Sequence, residues 1–265
     1  MTEGQSKASL DVYQLPTGRP APYWGSANKA TLTAATQHLQ RCFDELLISD
    51  ERMAGFIIKM QQIDIQGVVF GGWARDRLIE MLRGHHCPSR DVDMVAHGPV
   101  SIEQALPSSA VRNPFGGIRV EASHMHFDAW DLPNTFLIRR HRLPVSFEQL
   151  PFTADYNVNA IVFKPAQFFG CASLLDAGAI HSVQTGMLDF AADEVAQPLV
   201  QAARSIILAV RLHLAISDTV RTFLRSTCYT EELRQVVLDS IRTYCPTEWE
   251  VAAVSLFASI VEGDQ

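Results

Sequence analysis

The 265-residue chain lacks several features that would assign it to a structural class at once. Its five cysteines are scattered without a C-x-x-C pair, which disfavours a disulfide framework or a zinc knuckle and fits a reducing compartment. The N-terminus shows no charged-then-apolar signal peptide, and no apolar run is long enough to span a membrane. We therefore expect a cytoplasmic protein without a membrane partner.

Charge is also scarce. Charged residues make up 19% of the chain, and the net charge is -7. A negative balance disfavours a protein that coats nucleic acid non-specifically, although it allows a local basic cleft. Internal repeats and low-complexity segments are absent as well. What the chain has in quantity is hydrophobic residues, at 47%, and these predict a substantial core.

The two ends of the chain show helical spacing of apolar residues. Residues 1–29 are polar and rich in proline, which predicts an extended or disordered arm. Two helices are then predicted, one after Thr31 and one over Glu51–Gln62, with Ser49 or Asp50 positioned to cap the second. Helical spacing returns after about residue 193. The apolar face of these C-terminal helices is expected to form core or a contact between copies in a homo-oligomer.

The centre of the chain alternates between strand and turn signals. Hydrophobic alternation predicts a hairpin over residues 115–130 and a strand over Asn157–Phe163. A short helix is predicted over Ser101–Leu106, and a turn over Leu174–Gly178. The whole pattern predicts an α+β fold, in which a short mixed sheet is formed by the centre of the chain and helical segments precede and follow it in sequence.

One stretch near residue 70 carries an unusual concentration of polar chemistry. A buried strand ends in Gly71 and Gly72, where backbone N–H groups can approach an anion at a helix start. The next strand carries Asp91 and Asp93, which point to the same face because side chains alternate along a strand. Two such carboxylates repel each other, and a hard divalent cation such as Mg²⁺ relieves that repulsion. The competing interpretation is an exposed edge strand.

Asp128 is the best candidate for a third acid. It lies in the second strand of the predicted hairpin, between aromatic neighbours, where aspartate is disfavoured by strand propensity. Two divalent ions about 3.5–4 Å apart need bridging carboxylates from more than one strand. The sequence therefore favours a site made by Asp91, Asp93 and Asp128.

The order of these motifs resembles a known family. The G-G-x-x-R-D motif at residues 71–76, followed by D-x-D at residues 91–93, resembles the head domain of the poly(A) polymerase and CCA-adding group, within the DNA-polymerase-β-like nucleotidyltransferase superfamily. Residues 154–160 are similar to that group's R-R-D-F-T-x-N-A element, and residues 175–180 to its D-x-x-x-G stretch. The helix after Gln197 takes the place of the neck helix. The resemblance covers about residues 66–215.

The resemblance implies a nucleotidyltransferase fold at residues 30–190, with residues 30–62 as a helical lead-in, and a helical neck-like domain at residues 191–265. It also implies a role for each matching residue. The catalytic metals, Mg²⁺ or Mn²⁺, would be held by Asp91, Asp93 and Asp128. The nucleotide would be bound by Gly71, Gly72, Arg75, Asp76, Arg90, Asp155 and Asn159, with Arg75 facing phosphate or sugar.

The implied reaction is attack of a hydroxyl on the α-phosphate of an NTP, ATP or CTP, with release of pyrophosphate. An RNA 3′ end, tRNA included, is the acceptor that the resemblance implies. The chain departs from the group where Thr153 and Ala154 replace paired arginines, and where Gln197 and Val200 replace an acid and an arginine of the neck. We also expect the body and tail that grip tRNA to be absent or rudimentary.

Two alternatives follow from these departures. One is nucleotidylation of a protein or small molecule, as in toxin-like or antibiotic-modifying enzymes, which the acidic net charge favours. The other is a nucleotide-binding protein without turnover. The basic run at residues 139–142 fits a contact to triphosphate or an RNA backbone, and fits a solvated helix end equally well.

Overall fold

The computed structural model describes residues 12–15, 27–89, 91–106, 110–112, 117–121 and 125–263. The described residues form two compact units. The sheet unit comprises those between 27 and 154 and those from 158 to 184. The helical unit comprises residues 12–15, 155–157 and those from 185 onward. Of the expected arm at 1–29, residues 1–11 and 16–26 lie outside the described part.

The helices and strands are numbered in chain order. The helices are α1 (Lys29–Ser49), α2 (Glu51–Gln62), α3 (Gly72–Arg83), α4 (Phe136–His141), α5 (Ala166–Phe169), α6 (Ala179–Thr185), α7 (Pro198–Arg211), α8 (Asp218–Thr227), α9 (Glu231–Tyr244) and α10 (Thr247–Val261). The strands are β1 (Val12–Gln14), β2 (Gln66–Phe70), β3 (Asp91–His97), β4 (Val111–Arg112), β5 (Ile118–Glu121), β6 (His126–Asp131), β7 (Ile161–Lys164), β8 (Ser173–Asp176), β9 (Met187–Leu188), β10 (Glu194–Ala196) and β11 (Ala215–Ile216).

The first helices begin where side-chain caps satisfy their free N–H groups. Asn28 Oδ1 accepts from the Thr31 N–H at 2.9 Å at the start of α1. At the start of α2, Asp50 Oδ1 accepts from the N–H groups of Arg52 and Met53, each at 3.1 Å. The predicted helix over Glu51–Gln62 and its Asp50 cap are therefore confirmed.

A seven-stranded mixed sheet forms the centre of the sheet unit, in the order β4-β5-β6-β3-β2-β7-β8. β3 and β6 run parallel, and the other neighbours are antiparallel. The larger core lies on one face, where Phe43, Phe56 and Leu78 of α1–α3 pack with Val92 and Phe127 of the sheet. Because side chains alternate along a strand, the residues directly before and after Val92 and Phe127 face the other side of the sheet.

The second face of the sheet carries a smaller core. Val68, Val95 and Val162 pack there with Ile138 and Leu150. Since Val95 follows Asp93 by two residues, Asp93 shares this face and lies nearer the start of β3. The predicted hairpin is confirmed by the antiparallel pairing of β5 with β6; residues 113–116 and 122–124 lie outside the described part.

Three local predictions need correction. The predicted strand over Asn157–Phe163 begins only at Ile161; Asn157–Asn159 form a 3₁₀ turn, because the Asn157 side chain bonds the backbone of Met187 and Asp189 at 3.0 Å each and so leaves the extended conformation. The predicted turn over 174–178 is largely β8, which pairs with β7. The predicted short helix over 101–106 is a 3₁₀ segment at 102–105.

The helical unit is built around α7, which packs against α8, α9 and α10. Small strand pairs accompany the helices: β1 lies antiparallel to β10, and β9 parallel to β11. Phe223 of α8 meets Tyr13 and Phe190 edge-on, with ring centroids 5.0 and 4.9 Å apart. Within the part of the chain that the structure describes, every helix is too short or too polar to cross a membrane.

Candidate active site

The strand register aligns the predicted acids in a row across the second face of the sheet. Asp93 of β3 lies directly opposite Asp128 of the parallel strand β6. Asp128 in turn lies opposite Arg119 of β5. Opposed residues on neighbouring strands share a face. We call Asp93, Asp128 and Arg119 the acid row; Asp91 lies on the same face, two residues before Asp93.

Arg119 closes the acid row with a two-pronged ion pair. Its Nε donates to Asp128 Oδ1 at 3.0 Å, and its Nη2 to Asp128 Oδ2 at 2.6 Å. The Asp128 side chain is 9% exposed, whereas that of Arg119 is 42% exposed. The pKa of Arg119 is raised, first by the hydrogen bond to Asp128 and then by the charges of Asp128, Asp91 and Asp93. All three acids therefore act electrostatically on one guanidinium.

The sequence analysis did not identify Arg119. A usable signal was present, because the hairpin brings the residues before and after its turn into register. An arginine flanked by the apolar Ile118 and Val120 has the alternation of a strand residue on the polar face. The partner of Arg119 depends on the register of the hairpin. That register depends on the length of the turn, which the sequence does not determine.

The glycine turn lies at the same edge of the sheet as the acids. β2 runs antiparallel to β3, with Val69 opposite Met94, so the end of β2 meets the start of β3. Gly71 has φ 70°, a left-handed conformation that a side chain would strain. Its N–H donates to the Ile161 carbonyl at 3.1 Å. α3 begins at Gly72, and its first N–H groups give this edge a partial positive charge.

A buried network supports the glycine turn. The Arg75 Nε donates to Asp76 Oδ1 at 2.7 Å, and Arg75 Nη1 donates to Asn159 Oδ1 at 2.7 Å. Ser89 Oγ donates to Asp76 Oδ2 at 3.0 Å. Arg75 is 4% exposed and Asp76 is 1% exposed. The structure thus places these three predicted site residues together as a scaffold, and their contact with a nucleotide stays a prediction.

Asp155 belongs to the helical unit, whereas Asn159 belongs to the sheet unit. Asp155 Oδ2 accepts from Arg204 Nη1 at 2.9 Å and from Gln201 Nε2 at 3.2 Å. The adjacent Tyr156 hydroxyl contacts Gln201 and Ser205, and burial raises its pKa. Arg204 of α7 is the cation that pairs with Asp155. The predicted role of Asp155 in nucleotide binding stays a prediction.

The acids suit a hard divalent cation in chemistry, but the third acid is engaged. Carboxylate oxygens are the donors that Mg²⁺ and Mn²⁺ prefer, and Asp91 and Asp93 offer them on one face. Both oxygens of Asp128 accept from Arg119. As they stand, the described residues contain no group of three or more His, Cys, Asp or Glu side chains arranged to hold a metal ion. The donors therefore fit through Asp91 and Asp93, whereas Asp128 is shared with Arg119.

Two further predictions concern Arg90 and the basic run at residues 139–142. Arg90, predicted to bind nucleotide, lies outside the described residues. The basic run occupies the last turn of α4, where Arg139, Arg140 and His141 are exposed, and Arg142 ends the helix in a left-handed conformation. The exposed cations fit a solvated helix end, and they are accessible to a phosphate backbone.

Solved structures of CCA-adding enzymes share the fold. A CCA-adding enzyme in an apo form matches at a TM-score of 0.58 and 14% identity, over 88% of this chain and 53% of that one. A complex with CTP matches at 0.52 and 19%, over 76% and 50%. The Thermotoga maritima enzyme complexed with tRNA_CCA matches at 0.52 and 16%, over 85% and 53%.

The chain therefore spans about half the length of these enzymes. No protein-family model matches it, and no curated protein sequence matches it. At such identities the likeness establishes the fold. The predicted α+β nucleotidyltransferase fold, and the predicted resemblance to the CCA-adding group in fold, are confirmed.

Proposed function

We propose that the protein is a metal-dependent nucleotidyltransferase that moves a nucleoside monophosphate from ATP or CTP to a hydroxyl, with release of pyrophosphate. The observation that carries the proposal is the alignment of Asp91, Asp93 and Asp128 on one face of the sheet. These acids lie at the edge where Gly71 leads into α3. Carboxylates beside a helix N-terminus are the groups that bind a metal-bound polyphosphate.

Each residue of the site has a proposed task. Asp91 and Asp93 hold Mg²⁺ or Mn²⁺, with Asp128 as the third acid. The bound ions would supply Lewis-acid stabilisation of the phosphates. Gly71 and Gly72 bring N–H groups to the triphosphate. Arg75, Asp76 and Asn159 fix the turn from behind, so that its N–H groups stay aimed while the substrate binds. Arg90 is assigned to the nucleotide.

We propose an RNA 3′ end, tRNA included, as the acceptor. Two observations support it: the fold is shared with a CCA-adding enzyme solved in complex with tRNA_CCA, and Arg139, Arg140 and His141 are exposed on one helix turn. The net charge of -7 instead favours an acceptor that is a protein or a small molecule. The acceptor is therefore the part of the proposal that the first experiment separates.

The experiment uses NTPs labelled at the α-phosphate, supplied one at a time with Mg²⁺ or Mn²⁺. Total RNA and tRNA lacking its 3′-terminal nucleotides are offered together with a protein extract and a small-molecule extract. Label on RNA supports the proposal in full. Label on protein or small molecules supports the reaction and replaces the acceptor. Nucleotide binding without pyrophosphate release under any condition contradicts the reaction.

A further inference from the structure

The acid row places negative charges on adjacent strands. Asp93 and Asp128 are cross-strand neighbours, and Asp91 is two residues from Asp93. Like charges at such spacing destabilise a sheet unless a cation offsets them. Arg119 is the cation that the register brings to the end of the row. Its positive charge therefore offsets the negative charge of Asp128, as the charge of a divalent ion would.

The two partners of this ion pair differ in access to water. The Asp128 side chain is 9% exposed and the Arg119 side chain is 42% exposed. A long, half-exposed arginine can turn its guanidinium into solvent while its stem stays on the sheet. A short, buried aspartate has no equivalent freedom. If the pair opens, Arg119 is the side that moves.

The ion pair and metal ligation by Asp128 also compete for the same carboxylate. Arg119 donates to both oxygens of the carboxylate, at 3.0 and 2.6 Å. A cation bound at Asp128 would lie close to the guanidinium, and like charges at that distance repel. Each carboxylate oxygen keeps a further lone pair that a metal could use, so the competition between the two cations is electrostatic.

We propose that Arg119 is a positioning residue that neutralises the acid row in the absence of a divalent ion and releases Asp128 when the ion binds. The proposal rests on the proposed function, since it takes Asp91, Asp93 and Asp128 as the ion site. Its consequence is a competition: the guanidinium lowers the affinity for a free divalent ion, because the two cations repel each other and share the charge of Asp128.

The test is a titration with Mn²⁺ alone, without nucleotide, in which the EPR signal of free Mn²⁺ reports the unbound ion. Wild type is compared with Arg119→Gln and Arg119→Lys. The matched control is Arg112→Gln, which removes the same charge from an exposed arginine on the neighbouring strand β4; Arg112 pairs with Glu103 of the 3₁₀ segment at 102–105. Thermal unfolding with and without Mn²⁺ verifies that each variant is folded.

The expected result is that Arg119→Gln binds Mn²⁺ about tenfold more tightly than wild type, since the lost bonds are charge-assisted but half exposed. Arg119→Lys is expected to fall between them, because lysine cannot form the two-pronged contact. Arg112→Gln is expected to stay within about twofold of wild type. Mn²⁺ should also raise the melting temperature of Arg119→Gln more than that of wild type.

Two results would overturn the proposal in different ways. If Arg119→Gln binds Mn²⁺ no more tightly than wild type, while Asp91→Asn with Asp93→Asn abolishes binding, the exchange is wrong and the metal site stands. If neither set of substitutions changes Mn²⁺ affinity, the acids are not the ion site, and the metal assignment of the proposed function fails with it.

Discussion

The sheet unit contains two arginine–aspartate pairs with the same chemistry and different surroundings. Arg75 and Asp76 have side chains that are 5% and 2% exposed. Arg119 and Asp128 have side chains that are 42% and 9% exposed. The first pair has further partners in Asn159 and Ser89. Under the proposal for Arg119, the burial of the arginine separates a fixed scaffold pair from an exchangeable contact.

The physical reason is the cost of leaving a charge alone. When one partner of a buried pair is removed, the other stays in a low-dielectric interior without compensation, at a cost of about 3–5 kcal/mol. When Arg119 leaves its pair, water solvates the guanidinium at once, but Asp128 stays at 9% side-chain exposure, and a buried group left without its partner costs about 1–3 kcal/mol. Arg75 is therefore held in one place, whereas Arg119 can adopt a second one.

The largest expected effect concerns the acids themselves. Asp91→Asn together with Asp93→Asn is expected to lower pyrophosphate release by about 10³-fold or more, because the proposed metal ligands are lost. The measurement is release of labelled pyrophosphate with the preferred NTP. Activity near wild type in the double variant would contradict the assignment of Asp91 and Asp93 as metal ligands. The control is Asp64→Asn, which changes an aspartate on an exposed turn.

The next effect compares the two arginines directly. Arg75→Ala is expected to lower the free energy of unfolding by about 3–5 kcal/mol, because it strands the buried Asp76. Arg119→Ala is expected to lower it by a smaller amount, about 1–3 kcal/mol, since it leaves Asp128 without its partner at 9% side-chain exposure. Urea denaturation of both variants measures the difference. Equal losses would mean that exposure does not separate the two pairs.

A smaller effect concerns a carboxylate without a guanidinium. Asp176 Oδ1 accepts from the N–H groups of Gly178 and Ile180 at 3.1 and 3.3 Å, and no described residue hydrogen-bonds its Oδ2. Burial raises the pKa of Asp176 above its ordinary value. Between the unfolded and folded pKa values the native state binds more protons, so stability falls as pH rises through this window.

Asp176→Asn is therefore expected to be as stable as wild type below the ordinary aspartate pKa and more stable than wild type at neutral pH. Glu148 gives a control of opposite sign. A hydrogen bond to its own backbone N–H, with further help from Ser146 and Lys164, lowers its pKa. Glu148→Gln should lose stability at neutral pH, and the loss should vanish as pH falls through the lowered pKa. Chemical denaturation across about pH 3–8 measures both variants.

The smallest expected effect extends the comparison to a third pair. Arg204 and Asp155 have side chains that are 47% and 39% exposed. Arg204→Gln is expected to change the free energy of unfolding by less than about 0.5 kcal/mol, because both partners remain solvated. A loss as large as that of Arg75→Ala, measured under the same denaturation conditions, would show that exposure is a poor guide to the role of a pair.

Local patterns were enough to predict much of the fold. Helical spacing gave α1 and α2, alternation gave the hairpin, and the glycines with the D-x-D motif gave the unit from β2 to β3. The failures lie where side chains override the local pattern. The Asn157 side chain bonds backbone groups about thirty residues away, and such a partner cannot be found from neighbouring residues.

The candidate site was also predictable only in part: local patterns gave the acids, but not the contacts between residues distant in sequence. Asp91 and Asp93 share a face through local geometry alone, and Asp128 was selected because aspartate is rare within a strand. Their alignment required the parallel pairing of β3 with β6, which depends on contacts distant in sequence. Arg119 was missed. Protein encloses Arg75, and its expected contact with phosphate or sugar stays a prediction. Whether a charge is buried depends on packing, which periodicity does not report.

The acid row also limits how descendants of this sequence can diverge. A one-residue insertion or deletion inside β3, β5 or β6 would turn every later side chain of that strand to the opposite face, and the row's charge would enter the core beneath α1–α3. Length changes should therefore accumulate in the connecting segments. Positions 119 and 128 should also change together across lineages, so that a chain that loses the acid at 128 is released from the need for a cation at 119.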